Sequence, residues 1–407
     1  MEDKKIQDIF FLECIERKIS KHIAEVTSLG VASGISGVMI FYFLLSKLLK
    51  CDQKYEKAKS LIQKGIMFIN NGYNDPLYSN GITGFLWTLQ FLNENDIIEI
   101  DDDDDFFCQI EDFIYKVMTN DIENKNYDFL HGAIGYGVFF LKRYKTTKNP
   151  VLRNRYKDIM CEVVEFLGES KIENIKGFMW ESPQESDIGN EINIDLGLAH
   201  GVPSILYFLC LVYDEGVFKE KIHPLIEGAC NYVLSTKNVS KNIISLFPTY
   251  QYVSQIKEEH ASRLGWCYGD VGVGLSLLKA AKVTNDIILK NEAISILIHS
   301  SKRRGLGENS VLDAGLCHGA YGLFHIYGKL FKKTKEQSFR ESSEYWKMKG
   351  DNMAKFDENK NIDYEIYLGE RNWLKPISLL EGVTGIGLSI ISGLNNYEIE
   401  WEECLFI

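Results

Sequence analysis

The 407-residue sequence has no excess of basic residues: 45 Lys and Arg stand against 57 Asp and Glu, for a formal net charge of −12. Binding to nucleic acid depends on clustered Lys and Arg that release counterions from the phosphate backbone. The charge balance therefore argues against a nucleic-acid partner, and we expect none.

Long apolar runs are missing too. The two longest, 38–45 and 205–213, fall well short of the roughly 20 residues that a membrane-spanning helix needs, so they indicate buried helices. The first eight residues carry mixed charge and no apolar stretch typical of a secretory signal. Nine cysteines, an odd number without framework spacing, favour free thiols in a reducing compartment. We expect a cytoplasmic protein.

What the sequence does contain is a repeat, because Gly-x-x-Gly before an apolar, aromatic-rich run returns along the chain. The first glycines of the seven copies are Gly34, Gly81, Gly132, Gly201, Gly269, Gly319 and Gly382. Six copies are strict, and the fourth has Ser204 in place of the second glycine. The intervals between copies are long enough for two helices each.

Each copy precedes a segment that is apolar on nearly every side, whereas the segments between copies mix charged and apolar residues at helical spacing. The pattern predicts an all-α fold: an (α/α)7 toroid, a barrel of seven helical hairpins with inner and outer rings of helices. We expect a single domain over residues 1–407, with irregular or β insertions near 169–195 and 238–263.

The residue before each first glycine is polar or ionisable in all seven copies, and a structural repeat would direct these side chains into one common space. In order they are Ser33, Asn80, His131, His200, Tyr268, His318 and Glu381. One position further back, the fifth and sixth copies carry Cys267 and Cys317. Neighbouring repeats would therefore bring the two thiols together.

Two thiolates and the imidazole of His318 form a ligand set that suits zinc and leaves the fourth tetrahedral position open. Such an open position is typical of a catalytic site. The alternative is that two buried thiols and a capping histidine occupy these loops without metal. Zinc bound by two thiolates can hold an incoming thiol as thiolate, which favours thiol alkylation. Among the remaining repeat residues, His200 is the candidate acid or base near neutral pH.

These motifs resemble those of the lanthionine synthetase C-like (LanC) family over essentially the whole chain. The resemblance rests on Gly265-Trp-Cys-Tyr-Gly269, Cys317-His-Gly319, Gly197-Leu-Ala-His-Gly201, the recurrent Gly-x-x-Gly and, weakly, the ending Trp401–Ile407. It implies one Zn²⁺ per chain, bound by Cys267, Cys317 and His318, with a precursor-peptide cysteine in the open position. That thiolate would add to a dehydroalanine or dehydrobutyrine and close a thioether ring.

The same resemblance implies catalytic roles for His200, Asp128, Arg263 and Tyr268. His200 would protonate the enolate formed by addition, and Asp128 would orient His200 or relay a proton. Arg263 would hold the enolate oxygen, and Tyr268 would bond to the substrate or to a ligand sulfur. Each of the last three has a local packing contact as its alternative role. His131 is a histidine that the family pattern does not predict, and its role stays open.

The implied partner is a dehydrated precursor peptide made by a separate dehydratase. The sequence leaves open whether the enzyme acts alone or in a complex with that dehydratase and a membrane transporter, at the inner face of the membrane. Three alternatives remain: addition or binding of glutathione-type thiols, a prenyltransferase-like toroid, and a non-catalytic binding scaffold. The prenyltransferase alternative lacks its usual carboxylate ligand and basic diphosphate pocket.

Overall fold

The computed structural model describes residues 2–100, 105–182, 191–253, 259–358, 362–368, 372–394 and 399–407. Within these residues the chain forms 14 α-helices, and strands of two or three residues are the only extended elements. The predicted all-α class is confirmed. The helices are α1 (Glu2–His22), α2 (Ile35–Leu49), α3 (Asp52–Asn70), α4 (Ile82–Glu94), α5 (Asp105–Glu123), α6 (Ala133–Thr146), α7 (Pro150–Ser170), α8 (Val202–Asp214), α9 (Lys219–Ser235), α10 (Asp270–Thr284), α11 (Ile287–Lys302), α12 (Ala320–Thr334), α13 (Gln337–Asn352) and α14 (Val383–Leu394). Among the described helices, none is both long and apolar enough to cross a membrane.

The seven even-numbered helices each begin on the residue after the first glycine of a repeat. They are buried on all sides: every residue of α4 from Ile82 to Leu92 is buried. The odd-numbered helices bury one stripe only, as in α3, where Ala58, Leu61 and Gly65 are the buried residues. Apolar composition around the whole helix and an amphipathic pattern thus produce the two predicted kinds of helix.

Eight short strands lie between the helices and pair as four antiparallel two-stranded sheets. They are β1 (Ile172–Asn174), β2 (Gly177–Met179), β3 (Asn193–Asp195), β4 (Tyr250–Tyr252), β5 (Lys355–Phe356), β6 (Ile362–Asp363), β7 (Ile366–Tyr367) and β8 (Trp373–Leu374). Strands β1 to β4 belong to the two regions predicted as insertions, and the β3–β4 pair joins one region to the other. Residues 183–190 and 254–258 of those regions lie outside the described residues.

The chain divides into two compact units. The first comprises residues 1–99 and 304–404, and the second comprises residues 100–303 and 405–407. In the first unit, α14 packs against α12 and α2, and α2 also packs against α4. Each of three odd-numbered helices packs against one of these: α13 against α12, α1 against α14, and α3 against α2. In the second unit, α6, α8 and α10 pack in sequence, each against the odd-numbered helix that follows it.

The loop before each even-numbered helix has a common backbone design. In five copies, the N–H of the first helical residue donates to the carbonyl oxygen seven residues earlier, for example Ala320 to Asp313 at 2.9 Å. The loop therefore curls tightly against the start of its own helix. A Cβ on Gly322 would overlap the carbonyl oxygen of Leu316, so this close approach requires glycine.

Candidate active site and metal ligands

The second unit brings His200 and Asp128 together, although 72 residues separate them. Asp128 lies in the loop before α6, His200 lies in the loop before α8, and Nδ1 of His200 is 2.6 Å from Oδ2 of Asp128. The side chain of His200 is 19% exposed, whereas that of Asp128 is buried. The carboxylate holds the imidazole by Nδ1, which leaves Nε2 as the ring nitrogen for proton transfer to another group.

The charges of this pair stabilise each other. Burial opposes ionisation of Asp128, but hydrogen bonds from His131 and His200 outweigh it, so the pKa of Asp128 lies well below its usual range. Burial likewise disfavours the protonated ring of His200, but the hydrogen bond and charge of Asp128 prevail and raise the pKa of His200. The arrangement therefore extends the range of pH over which an imidazolium stands beside a carboxylate.

His131 shares the same carboxylate. Oδ1 of Asp128 accepts from the backbone N–H groups of Leu130 at 2.7 Å and of His131 at 2.8 Å. The side chain of His131 adds a contact of 3.4 Å from Nδ1 to Oδ1, and it is 46% exposed. Its ring lies nearly parallel to that of His200, with the centroids 5.7 Å apart. One ring nitrogen of each histidine and one Asp128 oxygen all lie within 4.8 Å of one another. The structure thus gives the unexpected histidine a partner.

The hydroxyl of Tyr268 contacts a carboxylate of strand β3. The family resemblance implies a bond from Tyr268 to the substrate or to a ligand sulfur. In the structure the hydroxyl donates to Oδ2 of Asp195 at 3.0 Å, and Oδ1 of Asp195 accepts from the N–H of Gly197 at 2.6 Å. Burial raises the pKa of Asp195 to about 6. Burial and the charge of Asp195 also raise the pKa of Tyr268 well above its usual range. Tyr268 is consequently a neutral hydrogen-bond donor, and its ring centroid lies 6.5 Å from that of His200.

Arg263 is exposed, five residues before Tyr268 in the same loop. Its positive charge opposes the rise in the pKa of Tyr268, so it lies within electrostatic reach of the phenol. The guanidinium is available to an anionic group of a bound molecule.

In the first unit, Cys317 and His318 lie in the loop immediately before α12, and both are buried. Nε2 of His318 lies 3.2 Å from the carbonyl oxygen of Tyr367 and 3.6 Å from Oδ2 of Asp313. A carbonyl oxygen can only accept, so Nε2 carries the proton and Nδ1 carries the lone pair. Histidines that bind metals are held in this way, with the other ring nitrogen donating to a carbonyl or carboxylate.

Asp313 is fixed in its turn by backbone donors. Oδ1 accepts from the N–H of Gly315 at 2.7 Å, and Oδ2 accepts from the N–H of Tyr367 at 3.0 Å. The N–H of Cys317 donates to the carbonyl oxygen of Leu380 at 3.0 Å.

In the second unit, Cys267 is buried in the loop before α10. Its carbonyl oxygen accepts from the N–H of Ala199 at 3.4 Å, which joins this loop to the one that carries His200. Cys267 occupies the same position before its helix as Cys317 does before α12. The donor types present, two thiols and an imidazole with its lone pair on Nδ1, fit the preferences of zinc.

Two aspartates in this description, Asp195 and Asp313, were missed by the sequence analysis. The sequence contains a pattern that marks both residues, because each lies six residues before the first glycine of its repeat. Asp75 has the same position in the second copy. All three carboxylates accept from the N–H two residues ahead. The turn explains why aspartate suits the position, but only the tertiary structure shows what the second oxygen binds.

The chain is similar in sequence to known proteins. The family model described as "Lanthionine synthetase C-like protein" matches residues 25–406. The nisin biosynthesis protein NisC of Lactococcus lactis subsp. lactis is 24% identical over 329 residues, which cover 76% of this chain and 71% of NisC. A glutathione S-transferase LANCL1 of Danio rerio is 25% identical over 225 residues, 51% of this chain, and the match spans about half of that relative (47%).

Among solved structures, nisin cyclase matches with a TM-score of 0.74 and 17% sequence identity, over 96% of this chain and 97% of the cyclase. At this level of identity the match shows the fold. The predicted toroid of helical hairpins is confirmed by this likeness.

Proposed function

Because the chain belongs to the lanthionine synthetase C-like family, we propose that it is a zinc-dependent cyclase that forms lanthionine and methyllanthionine rings. It adds cysteine thiolates of a precursor peptide to dehydroalanine or dehydrobutyrine residues of the same peptide. The observation that carries the proposal is the pairing of His200 with Asp128 at 2.6 Å, which gives a proton donor in the loops of the repeat. The likeness to NisC supports the same function.

Cys267, Cys317 and His318 would bind the zinc ion. When bound, zinc held by two thiolates and an imidazole would lower the pKa of the substrate thiol. The hydrogen bond from His318 to Tyr367 holds the ring in the tautomer that this role requires.

In the addition, the substrate thiol releases its proton to solvent and its sulfur forms a bond to the β carbon as the carbon–carbon π bond breaks. The resulting enolate takes a proton at its α carbon from Nε2 of His200. Asp128 keeps His200 charged and oriented for that transfer. Arg263, exposed beside Tyr268, would bind the enolate oxygen. Tyr268, held neutral by Asp195, would donate a hydrogen bond to the peptide.

The substrate in this proposal comes from a separate dehydratase. The enzyme acts in the cytoplasm, alone or in a complex with that dehydratase and a transporter at the inner membrane face.

The test is incubation with a dehydrated precursor peptide, followed by alkylation of free thiols and mass spectrometry, with and without a chelator. We expect zinc-dependent loss of free thiols and one zinc ion per chain. Cys317→Ala should abolish both zinc binding and cyclisation. Cys14→Ala, which changes another buried cysteine of the same unit, should leave both in place. Thiols that stay free while zinc is bound would contradict the proposal.

The similarity to a glutathione S-transferase supports a second candidate, the addition of glutathione to an electrophile. The same assay separates the two functions when glutathione and a peptide that contains dehydroalanine but no cysteine are supplied. An intermolecular glutathione adduct, without ring formation on the cysteine-containing peptide, would favour this second function.

A further inference from the structure

We infer that residues 405 and 406 position the loops that carry Asp128, His200 and Cys267, and that Phe406 is the central positioning residue. The inference rests on the proposed function for its activity readout. Its structural readout does not depend on that function. Neither Leu405 nor Phe406 belongs to the catalytic set or to the proposed metal ligands.

Phe406 lies between two aromatic rings of the second unit. Its ring is stacked on Phe129, with centroids 3.9 Å apart and planes at 15°, and on Tyr207, at 4.7 Å and 7°. Phe129 is the residue after Asp128, and Tyr207 belongs to α8, whose preceding loop carries His200. One side chain therefore contacts both elements that bring the His200–Asp128 pair together.

The neighbouring residue reaches the third loop. The carbonyl oxygen of Leu405 accepts from Nε1 of Trp266 at 2.6 Å, and Trp266 is the residue before Cys267. Leu405, Phe406 and Trp266 are all buried. Residues 405 and 406 thus contact three consecutive repeats of the second unit. Two contacts lie next to a functional residue, at Phe129 and Trp266, and the third is to Tyr207 in the helix that follows His200.

The backbone at Phe406 has a φ of +60°, the left-handed region that residues other than glycine rarely adopt. Such a conformation persists where the surrounding contacts enforce it. Here the Phe406 ring lies between Phe129 and Tyr207.

In the proposed mechanism, catalysis depends on the short distance between Nδ1 of His200 and Oδ2 of Asp128. The hydrogen bond between His200 and Asp128 joins two loops across 2.6 Å, and displacement of one loop by about 1 Å would weaken it. Misplacement of this size by a remote substitution can lower a rate about a hundredfold. A rigid aromatic contact behind both loops fixes their spacing before the substrate binds.

The experiment compares Phe406→Leu with Phe139→Leu. Both phenylalanines are buried in the second unit, and leucine keeps apolar volume while it removes the ring. Phe139 lies within α6 against Phe140 rather than behind a site residue. Four quantities are measured for each variant: the melting temperature, kcat for cyclisation, KM for cyclisation, and the NMR resonance of the imidazole proton that His200 shares with Asp128.

We expect Phe406→Leu to lower kcat about tenfold to a hundredfold, with little change in KM, and to shift or broaden the imidazole resonance. Phe139→Leu should lower the melting temperature similarly and leave kcat and the resonance unchanged. The inference is overturned if kcat falls in both variants in parallel with stability and the resonance stays as in the wild type.

Trp266→Phe provides a second variant in case Phe406→Leu does not fold. It removes the indole N–H that binds Leu405 and keeps an aromatic ring. The imidazole resonance needs neither substrate nor turnover. A changed resonance in a protein that cyclises no peptide would support the positioning role and reject the proposed function, so the two failures can be distinguished.

Discussion

At the scale of single residues, Asp128 is the centre of the candidate acid–base group because its two carboxylate oxygens bind different partners. Oδ1 is held by two backbone N–H groups and by His131, and Oδ2 is left to His200. The position of His200 in the repeat predicts an acid or base. The family resemblance implies that Asp128 orients this histidine, and the structure places the two side chains 2.6 Å apart. The stacking of His131 beside His200 depends on contacts between loops that no local pattern encodes.

The first prediction concerns Asp128→Asn. In the proposed mechanism the imidazolium of His200 is the active form, so kcat/KM is full below the pKa of His200 and falls as pH rises through it. Asp128 raises that pKa, and asparagine keeps the shape without the charge. The alkaline limb of the pH profile should therefore move to lower pH.

Asp214→Asn is the matched control, since Asp214 lies at the far end of α8 and pairs with Lys279. Its profile should equal that of the wild type. His200→Asn should lower kcat by a factor of about 10² to 10⁴ at pH values below the pKa of His200, and the difference should shrink on the alkaline limb. An unchanged alkaline limb in Asp128→Asn would remove Asp128 from the assigned role.

At the scale of elements, the tight loop before each even-numbered helix explains how consecutive residues such as Cys317 and His318 take up their positions. Within a helix, neighbouring side chains diverge by about 100°. In the loop, hydrogen bonds to Leu380 and Tyr367 hold the two residues independently of helical geometry. The recurring glycines permit this close backbone approach, which is why the repeat is visible in the sequence.

The second prediction compares Gly322→Ala with Gly84→Ala. A Cβ on Gly322 would overlap the carbonyl oxygen of Leu316, and one on Gly84 would overlap that of Tyr78. Both substitutions should lower the melting temperature because the loop must shift. Only Gly322→Ala should reduce the zinc content measured by atomic emission, since its loop carries Cys317 and His318. Equal zinc content in the two variants would contradict the assignment of this loop.

At the scale of the whole molecule, the family model and the match to nisin cyclase cover nearly the entire chain. Folding on this scale also buries charged groups away from the candidate site. Glu402 is buried between His325, at 3.7 Å, and Lys329, at 2.7 Å. Burial opposes its ionisation, but these two partners prevail and hold the pKa of Glu402 at about 2, below the ordinary 4.5.

The third prediction concerns how the contribution of Glu402 to the free energy of unfolding depends on pH. A carboxyl group whose pKa is lowered by folding stabilises the protein above the unfolded pKa, and this stabilisation is lost as pH falls from about 4.5 towards 2. For Glu402 the loss amounts to about 3 kcal/mol. Glu402→Gln should therefore be less stable than the wild type at pH 7, and the difference should shrink towards pH 2.

The free energy of unfolding, measured by urea titration at several pH values, checks this. Glu344→Gln removes an exposed ion pair with Arg340 and serves as the control. Exposed pairs contribute little, so its pH dependence should match that of the wild type. A constant difference between Glu402→Gln and wild type from pH 7 to pH 2 would disprove the linkage.

The sequence alone indicates the repeat, its seven helical hairpins, the buried or amphipathic character of their helices, and the position of each thiol and imidazole before its helix. These features follow from periodicity and from glycine, which act over a few residues. Tertiary packing determines three further contacts: Asp128 with His200 as well as His131, Tyr268 with Asp195, and Phe406 with Phe129 and Tyr207. Such pairings join loops tens of residues or more apart, because the packing of helices, rather than any local pattern, brings those side chains within hydrogen-bonding or stacking distance.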